Sequence, residues 1–245
     1  VLRRRVPLAP PDLLRRGGGP PTVVAVPGNG LSVDGWRAPT RLLGSGTAVV
    51  ALPSFGLPAR RADPLDPASN AERLLGRLDE LGVRRAVLLG HSASCQLVAE
   101  AARRAPERVA GLVLVGPTTD PVAATWPRLA GRWLATAAHE PPTQVSLLAR
   151  DYTHGGLITF ARAMDRARHH AIGPVLAAGP WPVLLVRGPD DHIAPADWLD
   201  RLAALRPGIT AVTMPMGAHM VPVTHPHELV AAMRGFVSAV RPAPS

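Results

Sequence analysis

Six short runs of β-branched and apolar residues recur along the chain, and no two of them are joined by a hairpin-length turn. They read as strands over 22–26, 47–52, 85–89, 109–115, 182–187 and 210–214. Most are apolar throughout rather than alternating, as in strands covered on both faces. The segments between them keep a helical period. Leu74, Leu75, Leu78 and Leu81 share one face, with Gly82 as a stop. Leu97, Val98, Ala101 and Ala102 do the same further on, as do Leu229, Val230, Met233, Phe236 and Val237 behind Pro226. Strands alternating with helices predict an α/β fold with a doubly wound, mostly parallel sheet.

One segment breaks the alternation. Between 117 and 179 no strand is evident, and helical pieces run around 126–138, 142–152 and 156–170. An insertion of about 60 residues exceeds an ordinary connection, and such excursions lie over the C-terminal edge of the sheet, where ligands bind in open α/β folds. The expected division is a core of 1–116 and 180–245 with a small helical lid over 117–179. The first 20 residues, rich in Pro, Gly and Arg, could hold one or two short edge strands.

A chain of 245 residues can bury a sizeable core as one domain with an insertion. The formal charge of +9 would suit an anionic partner, but all 27 basic residues are Arg, spread as singles and doublets with abundant Ala, Pro and Gly. That is the pattern of coding bias in a GC-rich genome, and no nucleic-acid motif accompanies it. The expectation is a small-molecule substrate, no nucleic acid, no membrane, and a monomer or homodimer. No stretch reaches 18 consecutive apolar residues, and the first 19 residues lack the apolar core of a secretory signal. The single cysteine, Cys95, permits no intrachain disulfide and reads as a small buried hydrophobe, in keeping with a cytoplasmic location.

Chemistry concentrates where the strand at 85–89 ends. Leu89-Gly90-His91-Ser92-Ala93-Ser94 turns from strand to helix, and a tight turn there would lift the Ser92 hydroxyl out of the sheet. A Gly-x-Ser turn alone fits equally well with a serine capping the next helix. A serine nucleophile also needs a base, usually His, held by a carboxylate. After the strand at 182–187 comes Gly188-Pro-Asp-Asp-His-Ile-Ala-Pro195, and after that at 210–214 comes Gly217-Ala-His-Met-Val-Pro222. Both follow C-terminal strand ends, so the three groups are expected to converge on one edge.

In these motifs the chain resembles the α/β-hydrolase superfamily, from the first strand to the last helix. The resemblance implies Ser92 as nucleophile, Asp191 rather than Asp190 as acid, and His219 as base. It further implies oxyanion-hole amides from Asn29, in Pro27-Gly28-Asn29-Gly30, and from Ala93. The chain departs from the family at Ser94, where glycine is more usual, at Pro27, where histidine is common, and in Leu52-Pro-Ser-Phe-Gly56. A serine rather than an aspartate nucleophile disfavours the dehalogenases and epoxide hydrolases of the family.

Asp120, after the strand at 109–115, is the competing acid. Among the other histidines, His154 beside Gly155-Gly156 could reach a pocket, while His91, His139, His169, His170, His192, His225 and His227 read as structural or exposed. The candidates for lining the pocket are Gly28, Leu31, Phe55, Trp126, Trp133, Tyr152 and His154, with Phe160 also near. No histidine spacing suggests a metal site, and no cofactor is expected. The implied activity is a serine esterase-type hydrolase acting on an ester, thioester or lactone of a small, largely apolar substrate. A C–C bond hydrolase, a cyclase or lyase of secondary metabolism, and a non-catalytic ligand binder remain alternatives on the same scaffold.

Overall fold

The computed structural model describes residues 12–243, so what was expected of residues 1–11 lies outside the described residues. The sheet is built from β1 (Leu13–Arg16), β2 (Val23–Val26), β3 (Thr47–Val50), β6 (Ala86–His91), β7 (Val109–Val115), β8 (Val183–Arg187) and β9 (Ile209–Thr213). Two short strands after β3, β4 (Leu52–Pro53) and β5 (Gly56–Leu57), pair apart from it. The seven strands stand in the order β1-β3-β2-β6-β7-β8-β9. All neighbours are parallel except β1, which closes one edge antiparallel to β3. All six expected strands are present, and β1 is the edge strand that the N-terminal segment supplies.

The helices are α1 (Arg37–Leu43), α2 (Pro67–Glu80), α3 (Ser94–Arg104), α4 (Trp126–Ala137), α5 (Val145–Gly155), α6 (Leu157–Ala167), α7 (Ile172–Ala178), α8 (Ala196–Ala203), α9 (Val221–Thr224) and α10 (Pro226–Val240). Successive strand residues divide between two cores, as the pleat requires. Val24, Leu88, Leu112, Leu114 and Leu185 pack on one face with Leu74 and Leu78 of α2, Leu97 of α3, Leu176 of α7 and Leu199 of α8. Ala25, Leu89, Val113 and Leu184 pack on the other with Trp36, Leu229, Met233 and Val237. Burying one such leucine contributes about 1.5–3 kcal/mol, so the continuous apolar runs find their driving force on both sides.

Local chemistry sets the element ends. Asp66 caps α2 by accepting the Ser69 amide at 2.9 Å, and Pro67 begins the first turn. The Trp36 indole N–H donates to the Val26 carbonyl at 3.1 Å, tying the start of α1 to the end of β2. Among the described residues no helix is long and apolar enough to cross a membrane.

Candidate active site

β6 runs two residues beyond its expected end, through Gly90 to His91, and Ser92 follows with φ 57°. A non-glycine residue in that left-handed region is strained by about 1–3 kcal/mol, and the surroundings hold it there. The Ser92 amide donates to the Val115 carbonyl at 2.9 Å, and the Cys95 amide closes the turn on the Ser92 carbonyl at 3.1 Å. A Cβ on Gly90 would stand 2.8 Å from Cys95 Cα, so strand and helix can meet here only across a glycine. Ser94 is where the family usually has glycine, and its hydroxyl stitches the turn. Its Oγ accepts the His91 amide at 2.7 Å and lies 3.0 Å from the Val26 carbonyl, to which it can donate.

The loop carrying Asp191 leaves β8. Asp191 Oδ1 accepts the amides of Ile193 and Ala194, each at 2.9 Å, and Oδ2 accepts His219 Nδ1–H at 2.9 Å. Arg187 braces the loop through the carbonyls of Pro189, Asp191 and Ala194. A Cβ on Gly188 would lie 2.1 Å from the Gly217 carbonyl oxygen, so the acid and histidine loops interlock. Burial opposes the charge on Asp191, but His219, its hydrogen bond and the loop amides outweigh it and hold the carboxyl below its usual pKa. On His219, burial likewise opposes charge. The charge and hydrogen bond of Asp191, with Glu140 behind them, prevail and raise the imidazole above its ordinary value.

His91 lies beside the Gly28 loop, where a Cβ on Gly28 would meet its Nδ1 at 2.8 Å. Its Nε2 stands 2.9 Å from the His219 carbonyl, which fixes the proton on Nε2. Burial, with the neighbouring His219 charge, pushes its pKa down to about 3, so it is a neutral brace for His219. The helical insertion covers this edge and walls an open cavity of about 580 Å³ lined by both Ser92 and His219.

Of the candidate lining residues, Gly28, Leu31, Trp133 and Tyr152 line this cavity, as do Asn29 and Phe160. Three do not. Phe55 is packed in the core among Leu52 and its neighbours. Trp126 is 38 % exposed at the start of α4, with the Arg168 guanidinium over its ring. His154 faces a separate small cleft with Ser54 and Gly156. The Asn29 side chain bonds the Phe160 carbonyl at 3.0 Å and accepts the Ser54 hydroxyl at 2.7 Å. The backbone amides of Asn29 and Ala93 have no acceptor among the described residues.

Asp120, the competing acid, is buried in ion pairs with Arg132 at 2.8 Å and Arg201 at 2.9 Å, and caps the Val122 amide. Burial pushes the Cys95 thiol well up, in line with its reading as a hydrophobe. Among the described residues, no group of three or more His, Cys, Asp or Glu side chains is placed to hold a metal ion.

Glu140 and Gln144 are among the cavity residues that escaped the sequence reading. Glu140 accepts the Met220 amide, next to His219, at 2.7 Å, and Gln144 is a buried amide in the same wall. A single acid in the apolar stretch Ala137-Ala-His-Glu-Pro-Pro142 was the available signal.

Residues 23–232 match the family described as the alpha/beta hydrolase family. This chain belongs to the alpha/beta hydrolase family. The alpha/beta hydrolase described here is 30 % identical over 166 residues to the dihydrolipoyllysine-residue acetyltransferase component of the acetoin cleaving system of Cupriavidus necator. That match covers 67 % of this chain and 44 % of the relative, so the chain spans less than half of the relative's length. Its fold is similar to that of a hydrolase, olei00960, from Oleispira antarctica, with TM-score 0.79 and 15 % identity over 93 % of this chain and 94 % of that one. A thermophilic esterase from Thermogutta terrifontis is similar at TM-score 0.71 and 20 % identity, over 94 % of this chain and 93 % of that one.

Proposed function

We propose that this alpha/beta hydrolase is a serine hydrolase that cleaves a carboxylic ester, thioester or lactone of a small, largely apolar substrate through an acyl-enzyme. The observation that carries the reading is one cavity lined by Ser92 and His219, with His219 anchored at Nδ1 by a buried Asp191. The 2.9 Å bond from Nδ1–H to Asp191 leaves Nε2 as the free base.

In this reading Nε2 takes the Ser92 hydroxyl proton as Oγ attacks the carbonyl carbon. The carbonyl π electrons move onto oxygen, where the unengaged amides of Asn29 and Ala93 receive the negative charge. The tetrahedral adduct collapses, the alcohol or thiol leaves with the proton from His219, and the acyl group remains on Oγ. Water then gives a proton to the same nitrogen, attacks the acyl carbon, and releases the acid and Ser92. His91 keeps the His219 loop seated throughout, since it stays neutral. Leu31, Trp133 and Phe160 give the lid and loop an apolar lining for the acyl or leaving group.

A fluorophosphonate probe with p-nitrophenyl esters of increasing chain length tests this. Wild type should label and turn over, while Ser92→Ala should do neither and His219→Ala should lose turnover with the fold intact. Turnover by Ser92→Ala at the wild-type rate would overturn the reading.

A further inference from the structure

Although the chain carries 27 basic side chains, none lines the cavity that holds Ser92, among the described residues. Its wall includes three aromatic rings instead. Trp133 and Phe160 lie 5.7 Å apart between centroids, and Tyr152 meets Phe160 edge-on at 5.3 Å. Among the described residues the only carboxylate in the lining is Glu140. Its Oε1 is occupied by the Met220 amide, while Oε2 has no partner among the described residues. Gln144, only 5 % exposed in the same wall, also has its carbonyl oxygen without a partner. Thus, among the described residues, three aromatic side chains and one carboxylate line the cavity and no guanidinium does, so the groups there that can meet an anion are His219 and the backbone amides of Asn29 and Ala93 beside Ser92.

We propose that the cavity selects substrates carrying an ammonium group, with Glu140 as the specificity-determining residue and the three rings as the wall against the cation's methyl or methylene shell. Electron-rich ring faces attract ammonium cations where water is excluded, and a nearby carboxylate strengthens the preference. A substrate carboxylate placed there would be repelled by Glu140 with no guanidinium to offset it, so acidic esters are disfavoured. Trp133, Thr136, Ala137 and Glu140 follow one another along α4 and the turn after it, all in the cavity wall. Glu140 also sits beside the His219 loop, which puts its charge near the scissile bond. The proposal rests on the serine-hydrolase reading only for the position of that bond.

The test compares kcat/KM for choline butyrate, its uncharged isostere 3,3-dimethylbutyl butyrate, and the anionic butyrate ester of glycolic acid. Wild type should prefer the choline ester over the isostere by about tenfold or more, with the glycolate ester slowest. Glu140→Gln keeps an acceptor for the Met220 amide and removes the charge, and should bring the choline-to-isostere ratio most of the way towards one. Equal wild-type rates for choline ester and isostere, or a ratio untouched by Glu140→Gln, would overturn the proposal, leaving the rings as a wall for hydrocarbon alone. Calorimetric binding of the same esters to Ser92→Ala reads the preference without turnover. Ammonium-selective binding with no turnover of any ester by wild type would sink the hydrolase reading and keep this one. Unselective binding with brisk turnover would do the reverse.

Discussion

Ser94 and Gly90 flank Ser92 at the same spacing, yet the structure asks different things of them. Gly90 has backbone 2.8 Å from where a Cβ would stand, so Gly90→Ala should destabilise the protein by several kcal/mol and lower its urea midpoint. At Ser94 the hydroxyl satisfies the buried His91 amide, and Ser94→Ala should cost about 1–3 kcal/mol by leaving that donor unpaired. The pH profile of ester turnover tests the pair Asp191 and His219. A base must be neutral, and the His219 pKa is raised above 6.5, so the acid limb of kcat/KM should fall off on the alkaline side of that value. Asp191→Asn removes the charge that offsets burial. It should lower kcat on the order of 10⁴-fold and move the remaining acid limb to lower pH. An unmoved limb would show that some other group titrates.

The helical insertion divides according to what each helix touches. Leu176 of α7 is fully buried in the core beside α3, although it belongs to the stretch expected to form a lid. Leu176→Ala should cost about 2–5 kcal/mol in denaturant titrations, whereas Leu134→Ala, at a 74 % exposed position of α4, should be close to neutral. α5 is held to the segment that follows β2 by polar contacts. Asp151 accepts the Ser32 amide at 2.7 Å, and Arg150 bridges Asp151 at 2.7 Å, Asp34 at 2.9 Å and the Ser32 hydroxyl at 2.8 Å. Asp151→Ala leaves the buried Ser32 amide without its acceptor and removes one of the two carboxylates that Arg150 pairs with. It should speed hydrogen exchange across Val145–Gly155 and raise KM more than it lowers kcat, with α2 and α10 unchanged in exchange.

Acid should unfold this protein through His91 before its carboxylates are titrated. Folded, His91 has a pKa of about 3 because burial and the charge of His219 disfavour its cation, against 6.5 in an open chain. Below pH 6.5 the unfolded chain therefore takes up a proton that the folded one refuses. The stability conferred by neutral His91 is complete above that pH and drains away towards pH 3, by up to about 1.4 kcal/mol per unit. His91→Gln, neutral at every pH, should flatten that slope in urea midpoints measured from pH 7 to pH 4. What could be read along the chain was whatever depends on near neighbours. Strand runs, helical faces, the turn at Gly90–Ser92 and the loops carrying Asp191 and His219 each announce themselves within about ten residues. The cavity wall does not work that way. Trp126 and Trp133 share one face of α4, but two turns, or about 10 Å, separate them, and only the second reaches the cavity. Tyr152 and His154 are two apart on α5 and both line the small cleft beside Ser54, but only Tyr152 also reaches the cavity of Ser92. Which face of a helix meets the sheet is settled by contacts such as Asn29 with the Phe160 carbonyl, 131 residues away, and Met220 with Glu140, 80 residues away. The chain's own order therefore determined the sheet, the elbow and the loops at its C-terminal edge. The packing of the insertion, where distant residues compete for the same few contacts, decided the cavity's shape and charge.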